Sequence, residues 1–259
     1  STYLCHPSLA NNELSGPVVQ TTLLSLLNEC PERRLSYRAA WTTETLGTLC
    51  YLQRFGETIK KSVIGGCVVS SVGDDGPFTW IRPRRGGQNI NKAMAHVLAH
   101  EGARREVDCR DWYPSGSDER QYCSPGFNLP VGCFTRSHFE DRPEYHTSLD
   151  NLDLVSEAGL QRSLRVLLRL CQALEMNMVP VRTNPFGEPQ LGKRGLYGHD
   201  WTKKVLSITG WADGHHDLID IAEKAGKPVW ELLDPLEKLI EADLVKLENV
   251  QEEKPASRW

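Results

Sequence analysis

No stretch of about 18 consecutive apolar residues occurs in the 259-residue sequence, so no membrane-spanning helix is expected. Basic charge is not in excess either: 30 Lys and Arg stand against 34 Asp and Glu, a formal charge of −4. That balance offers no electrostatic footing for broad binding to nucleic acid or membrane surfaces. The eight cysteines (5, 30, 50, 67, 109, 123, 133, 171) contain no C-x-x-C pair. Most have apolar neighbours, as in Gly66-Cys67-Val68-Val69, so reduced, mostly buried thiols of a cytoplasmic protein are expected rather than a disulfide framework. His96 and His100 are four apart on a helical stretch, but no glutamate lies between them as in a zincin motif, and both are read as surface residues. No secretory leader is visible.

What is present is ordinary globular material, 39% hydrophobic and 25% charged, enough for one large domain or a medium domain plus a small one. Thr2 to Cys5 reads as the end of a strand, and 17–28 has helical spacing with Pro17 in its first turn. Further strands are expected at 37–42, 63–72, 107–108 and 130–135, and helices at 46–55, 89–101 and within 152–176. Strands alternating with helices predict an α/β fold whose sheet is largely parallel, with helices on both faces. Ligands in such sheets bind beyond the carboxyl ends of the strands. The polar clusters fall there, after Cys5, Thr43, Gly73 and Thr135. Residues 1–180 are read as this domain. The Pro- and Gly-rich segment 181–198 reads as a linker. Residues 199–250, with three helices and a short strand, look like a winged helix, and 251–259 is a polar tail.

Five polar clusters carry candidate chemistry. Cys5 to Gly16 places His6 at a strand end, then a short loop with Asn11, Asn12 and Glu13 before a helix; such donors suit a hard or borderline metal ion. Thr43 to Gly47 holds Glu44, either a carboxylate stabilising a helix N-terminus or a general base. Asp74 and Asp75 are turn residues before Gly76 or metal ligands. The remaining clusters are Ser115 to Arg120 and Glu144 to Asp150, the latter with Tyr145 and His146. His6 and His146 each read as ligands or as histidines bonded to backbone. Arg82, Arg84 and Arg85 with Gly86-Gly87 form a basic loop, suited to carboxylate or phosphate or simply solvated.

At His6, Leu9 to Gly16, Glu44 to Gly47, Asp74, Ser117-Asp118-Glu119 and Tyr145-His146-Thr147 the chain resembles the zinc aminopeptidase superfamily. In Cys5-His6-Pro7-Ser8, Leu14-Ser15-Gly16-Pro17, Glu44-Thr45-Leu46-Gly47, Gly116-Ser117-Asp118-Glu119-Arg120-Gln121 and Tyr145-His146-Thr147-Ser148 it is more closely similar to bacterial aminopeptidase-like proteins linked to polysaccharide biosynthesis, which end in a winged helix. The resemblance runs over about residues 1–250. It implies a three-layer α/β/α sandwich with a mixed, mostly parallel sheet, followed by a small winged-helix domain. Because the superfamily has several elements before its first metal histidine, the sequence is expected to lack N-terminal elements.

The implied activity is zinc-dependent hydrolysis of an amide bond in a small or peptide-like substrate. Zinc makes hydroxide available near neutral pH, and a carboxylate takes and returns the proton; the resemblance assigns that role to Glu44. It places the metal on His6 and Asp74, with Glu13 or His146 completing the set. Glu119, Arg120, Tyr145 and Arg85 are the expected substrate contacts, and Asp118 a scaffold residue. Two departures matter: the bridging aspartate of the superfamily corresponds to Asn12, and the second carboxylate of its Glu-Glu pair to Thr45. One zinc ion, or none, is therefore expected rather than two, and a catalytically inactive binding protein is the alternative. The winged helix carries Asp217, Asp220, Glu223, Glu231, Asp234, Glu237, Glu241 and Asp243, which repel phosphate. No nucleic-acid partner is expected; homo-oligomerisation through this module or an open sheet edge is.

Overall fold

The computed structural model describes residues 1–85, 89–102, 106–113, 116–198 and 201–250. Gly86-Gly87 of the expected basic loop, Ser115, His199 and the tail 251–259 lie outside them. The chain divides into two units, one ending at Leu170 and the other beginning at Cys171.

The first unit is built on short strands: β1 (Thr2–Tyr3), β2 (Trp41–Thr42), β3 (Gly66–Val69), β4 (Phe78–Ile81), β5 (Val107–Arg110) and β6 (Val131–Arg136). β1 and β2 pair in parallel, and β3, β6, β4 and β5 are bonded side by side in that order. The Ser1 nitrogen donates to the Cys67 carbonyl at 2.8 Å, and the Val69 amide donates to the Ser1 carbonyl at 2.8 Å. These two bonds join β1 to β3. The order is thus β2-β1-β3-β6-β4-β5, with β4 antiparallel to β6 and parallel to β5, a mixed sheet.

Helices α1 (Gly16–Asn28), α2 (Leu46–Ser62), α3 (Asn89–Glu101), α4 (Glu119–Tyr122) and α5 (Glu157–Met176) follow, α5 running on past the division. Strand side chains alternate between faces. On one face Tyr3, Val68, Ile81, Val131 and Cys133 cluster with Leu52 and Ile59 of α2 and Tyr122 of α4. On the other, the Trp80 indole donates to Asn91 of α3 at 2.9 Å, and Arg162 of α5 lies 5.1 Å from the Phe78 ring centroid. The expected α/β/α layering is present. Burying such apolar side chains contributes on the order of 2 kcal/mol each, as an upper estimate.

Several elements differ from expectation. β4 was not foreseen: its four residues lie between Pro77 and Pro83, too short to show a period, yet all are buried. α2 continues beyond Phe55 to Ser62, because Gly56 stays helical beneath the Phe127 ring. The loop of Asn11 to Glu13 is a π-helical turn, Asn11–Ser15, that runs directly into α1. His96 is buried rather than on the surface, and burial followed by His100 lowers it to about 4. Cys5, Cys30 and Cys50 are exposed, so burial holds for only part of the cysteine set.

Gly16 explains the Leu-Ser-Gly-Pro stretch. A Cβ there would overlap the Val69 carbonyl and come within 2.5 Å of the Thr2 hydroxyl. Only glycine lets the start of α1 sit against β1 and β3. Helix propensity favours alanine by about 1 kcal/mol, but overlap with a backbone carbonyl outweighs that. Gly16→Ala is expected to destabilise by roughly 1–3 kcal/mol in urea unfolding; a gain in stability would contradict this packing.

In the second unit β7 (Met178–Arg182) pairs antiparallel with β8 (Val245–Asn249), and α6 (Thr202–Trp211), α7 (Leu218–Ala225) and α8 (Leu233–Glu241) lie between them in sequence. β7 takes up Val181 and Arg182, which composition assigned to the linker, and Pro180 before them; proline is tolerated in so small a sheet, where both strands are edges. Asp217 caps α7 in a capping box with Asp220, and Gly226 ends it in the left-handed region (φ 63°). Among the described residues no helix is long and apolar enough to cross a membrane.

Candidate metal centre

Cys5 and His6 follow the carboxyl end of β1, and the π-helical turn brings Glu13 back to them. His6 Nδ1 lies 3.0 Å from Glu13 Oε1 and 3.0 Å from Cys5 Sγ, and Cys5 Sγ is 3.5 Å from Glu13 Oε1. Glu13 Oε2 accepts the Cys5 amide, and Asn12 Nδ2 donates to Glu13 Oε1 at 2.5 Å. Burial alone would raise the Glu13 carboxyl, but the Cys5 amide and the His6 ring hold it below its ordinary value. Burial and the Glu13 and Glu44 carboxylates push the Cys5 thiol up to about 12.

The turn is pinned by Asp150, the last residue of the Glu144 to Asp150 cluster. Asp150 accepts the Asn11 amide at 2.6 Å and the Asn12 amide at 3.0 Å. Asn11 Oδ1 in turn accepts the Gly73 amide at 2.8 Å, and Asn12 Oδ1 lies 3.4 Å from the Ser71 hydroxyl that donates to it. Asn12 thus links Glu13 to Ser71.

Glu44 follows the end of β2. Its Oε2 is 3.5 Å from Cys5 Sγ, and its Oε1 accepts the Ser117 hydroxyl at 3.4 Å. Asp118, the expected scaffold residue, accepts the Thr45 amide at 2.8 Å and the Thr48 hydroxyl at 2.7 Å. It holds Thr45 at φ 59°, unfavourable for a β-branched residue. His146, at φ 58°, and Ser71, at φ 50°, are strained in the same way, and such outliers gather at functional sites. Tyr3, Asn12, Glu44, Ser117, Thr135 and Tyr145 share the lining of a small pocket beside this group.

The other expected residues sort differently. The His146 ring lies 4.4 Å from that of His6 and 3.9 Å from that of Tyr145, but it is exposed and outside the three-donor group. Burial and His6 lower its pKa. Burial, followed by Glu44, raises Tyr145 to about 12, so its phenol stays protonated. Asp74, expected as a ligand, lies outside the three-donor group. Its Oδ2 accepts Asn11 Nδ2 at 2.9 Å and Arg142 at 2.8 Å; its Oδ1 accepts the Ser137 hydroxyl at 2.6 Å and the Gly76 amide at 2.8 Å. A buried carboxylate with a guanidinium and three further donors has no lone pair to spare. Arg120 reaches the Thr45 hydroxyl at 3.4 Å. Among the described residues Arg85 has no contact with the metal group, and its Nε is buried without a partner.

Glu119 is sealed from solvent, and among the described residues neither carboxylate oxygen has a well-formed hydrogen bond. Burial raises it from 4.5 to about 7, offset in part by nearby backbone amides. The folded state therefore binds the proton more tightly than the unfolded state. Stability from this group is full below its unfolded value and is lost as pH rises towards 7, on the order of 3 kcal/mol. Glu119→Gln is expected to be near neutral at pH 4.5 and stabilising by up to about 3 kcal/mol at pH 8 in urea unfolding. An equal effect at both pH values would contradict that role.

Among the described residues Cys5, His6 and Glu13 are the group whose donor atoms come together for a metal, all within 4.8 Å of one another. Imidazole nitrogen, carboxylate oxygen and sulfur are the donors zinc takes, and three protein ligands leave a fourth position for water or substrate. The donor set fits zinc.

The fold and this site define an aminopeptidase-like α/β domain followed by a winged helix. Residues 1–177 match the family described as a domain of unknown function (DUF4910), and the chain belongs to that family. Residues 178–247 match a winged helix-turn-helix family. A Clostridium acetobutylicum protein, provisionally named a polysaccharide biosynthesis protein with aminopeptidase-like domain, is 36% identical over 255 residues, covering 95% of this chain. The chain spans 58% of that relative's length. The crystal structure of a provisionally named peptidase from the same organism matches at TM-score 0.87 and 36% identity, over 95% of this chain and 56% of that one. The Legionella pneumophila LapA aminopeptidase shares the fold at TM-score 0.52 and 16% identity, over 67% of this chain and 50% of that one.

Proposed function

We propose that the chain is a zinc-dependent, aminopeptidase-like hydrolase acting on an amide bond of a small or modified substrate. The observation that carries the reading is the meeting of the His6, Glu13 and Cys5 donors with a separate carboxylate, Glu44, beside one pocket. His6 and Glu13 would hold the ion. Bound there, zinc supplies Lewis acidity and brings the ionisation of water to neutral pH.

The chain's own residues supply the rest. Asn12 and the Cys5 amide orient the Glu13 carboxylate, as outer partners do for metal ligands. Glu44 takes the proton of the attacking water and returns it to the leaving amine. The Ser117 hydroxyl and the strained Thr45 turn, braced by Asp118, fix where Glu44 points. Tyr145 lines the pocket as a hydrogen-bond donor for the substrate. The polysaccharide biosynthesis setting in the Clostridium relative's name extends to this chain as part of the same proposal. A panel of N-acyl and aminoacyl amides tests it: turnover that needs zinc and stops on chelation is expected. No turnover of any amide by the zinc-loaded protein would favour the other reading, a binding protein on the same fold. That reading has Asn12 in its favour, since a neutral amide offers a second ion no charge.

A further inference from the structure

We propose that Cys5 is a ligand of this centre, its thiolate joining His6 Nδ1 and a Glu13 oxygen in a mixed sulfur, nitrogen and oxygen site for a single ion. The proposal rests on the metal-dependent reading above and goes beyond it in naming the third donor.

Two observations carry it. The first is distance. Zinc ligands at about 2.0–2.3 Å in a tetrahedron stand roughly 3.3–3.6 Å from one another. The three pairs here stand at 3.0, 3.0 and 3.5 Å, so a shift of about half an ångström or less closes the set. The second is charge. Neutral His6 and ionised Glu13 leave a divalent ion with one positive charge that its own ligands do not offset; a thiolate brings the sum over the three donors to zero, with Glu44 outside them, its Oε2 3.5 Å from Cys5 Sγ. Asn12 and Ser71, the polar side chains on the far side of Glu13, bring no charge. Asp74 is neutralised by Arg142. On binding, the thiol proton leaves to solvent and the sulfur lone pair goes to the ion.

Cobalt(II) is the probe, titrated into the full, metal-free chain and into Cys5→Ala. Cys5 is exposed, so the variant leaves no cavity in the core. The wild type is expected to show near-ultraviolet thiolate-to-cobalt charge-transfer absorption, absent in Cys5→Ala. Zinc affinity of the variant is expected to fall by at least about 100-fold, the upper end of what an outer partner is worth. Metal binding of equal strength in both proteins, without the charge-transfer band, would overturn the role of Cys5 and leave His6 and Glu13 as the site. No binding of cobalt or zinc to the wild type would overturn both this inference and the metal-dependent reading.

Discussion

Replacing Glu44 with glutamine is expected to lower turnover by about 10²- to 10⁴-fold while the zinc content stays unchanged. The two halves of that result have different causes. Glutamine keeps the shape and can still meet the Ser117 hydroxyl, now 3.4 Å from Glu44 Oε1. It cannot take a proton. The donor group of Cys5, His6 and Glu13 does not include Glu44, so the ion's affinity does not depend on it. The measurement is kcat on whichever amide of the panel is turned over, with zinc counted in the same samples. Unchanged kcat at full zinc occupancy would remove the base from Glu44. A parallel loss of zinc and activity would make it a ligand.

Arg142→Met is expected to destabilise the protein by about 3–5 kcal/mol in urea unfolding. Arg142 and Asp74 pair at 2.8 Å with side chains only 8% and 5% exposed. Removing the guanidinium leaves a buried carboxylate with neutral donors alone, the Asn11 amide group, the Ser137 hydroxyl and the Gly76 amide. Those donors place the expected loss toward the lower end of the range. Adding Asp74→Asn should recover much of it, because the uncompensated charge is then gone. A loss below about 1 kcal/mol, as for an exposed pair, would mean that Arg142 does not hold Asp74, and would return Asp74 to the candidate ligands.

The contrast between Asp74 and Glu13 shows what the sequence could and could not tell. Both are acidic residues near polar clusters, and both were candidate ligands. The partner that takes up Asp74 lies 68 positions away, and Arg142 carries no local signal of that role. Glu13 is joined to His6 across seven positions, within one strand, turn and helix start, which is why the opening stretch was legible. The π-helical turn was not, because a turn of that width has no residue signature comparable to a cap or a glycine stop. Cys5 was visible only as the neighbour of a strand-end histidine. Helix α3 and the helices of the second unit were readable from their apolar period, whereas β4, four buried residues between prolines, had too little length to show one. Asp118 was legible as scaffold, but its work, fixing Thr45 at a positive φ next to Glu44, depends on a contact across 73 positions.

Zinc content is the most direct test of the account. Elemental analysis of the zinc-loaded full chain, freed of loosely held metal, should give one zinc ion per chain, with the ion lost in His6→Ala and in Glu13→Ala but kept in Glu44→Gln. Two ions per chain, or an ion retained when His6 and Glu13 are removed, would contradict it.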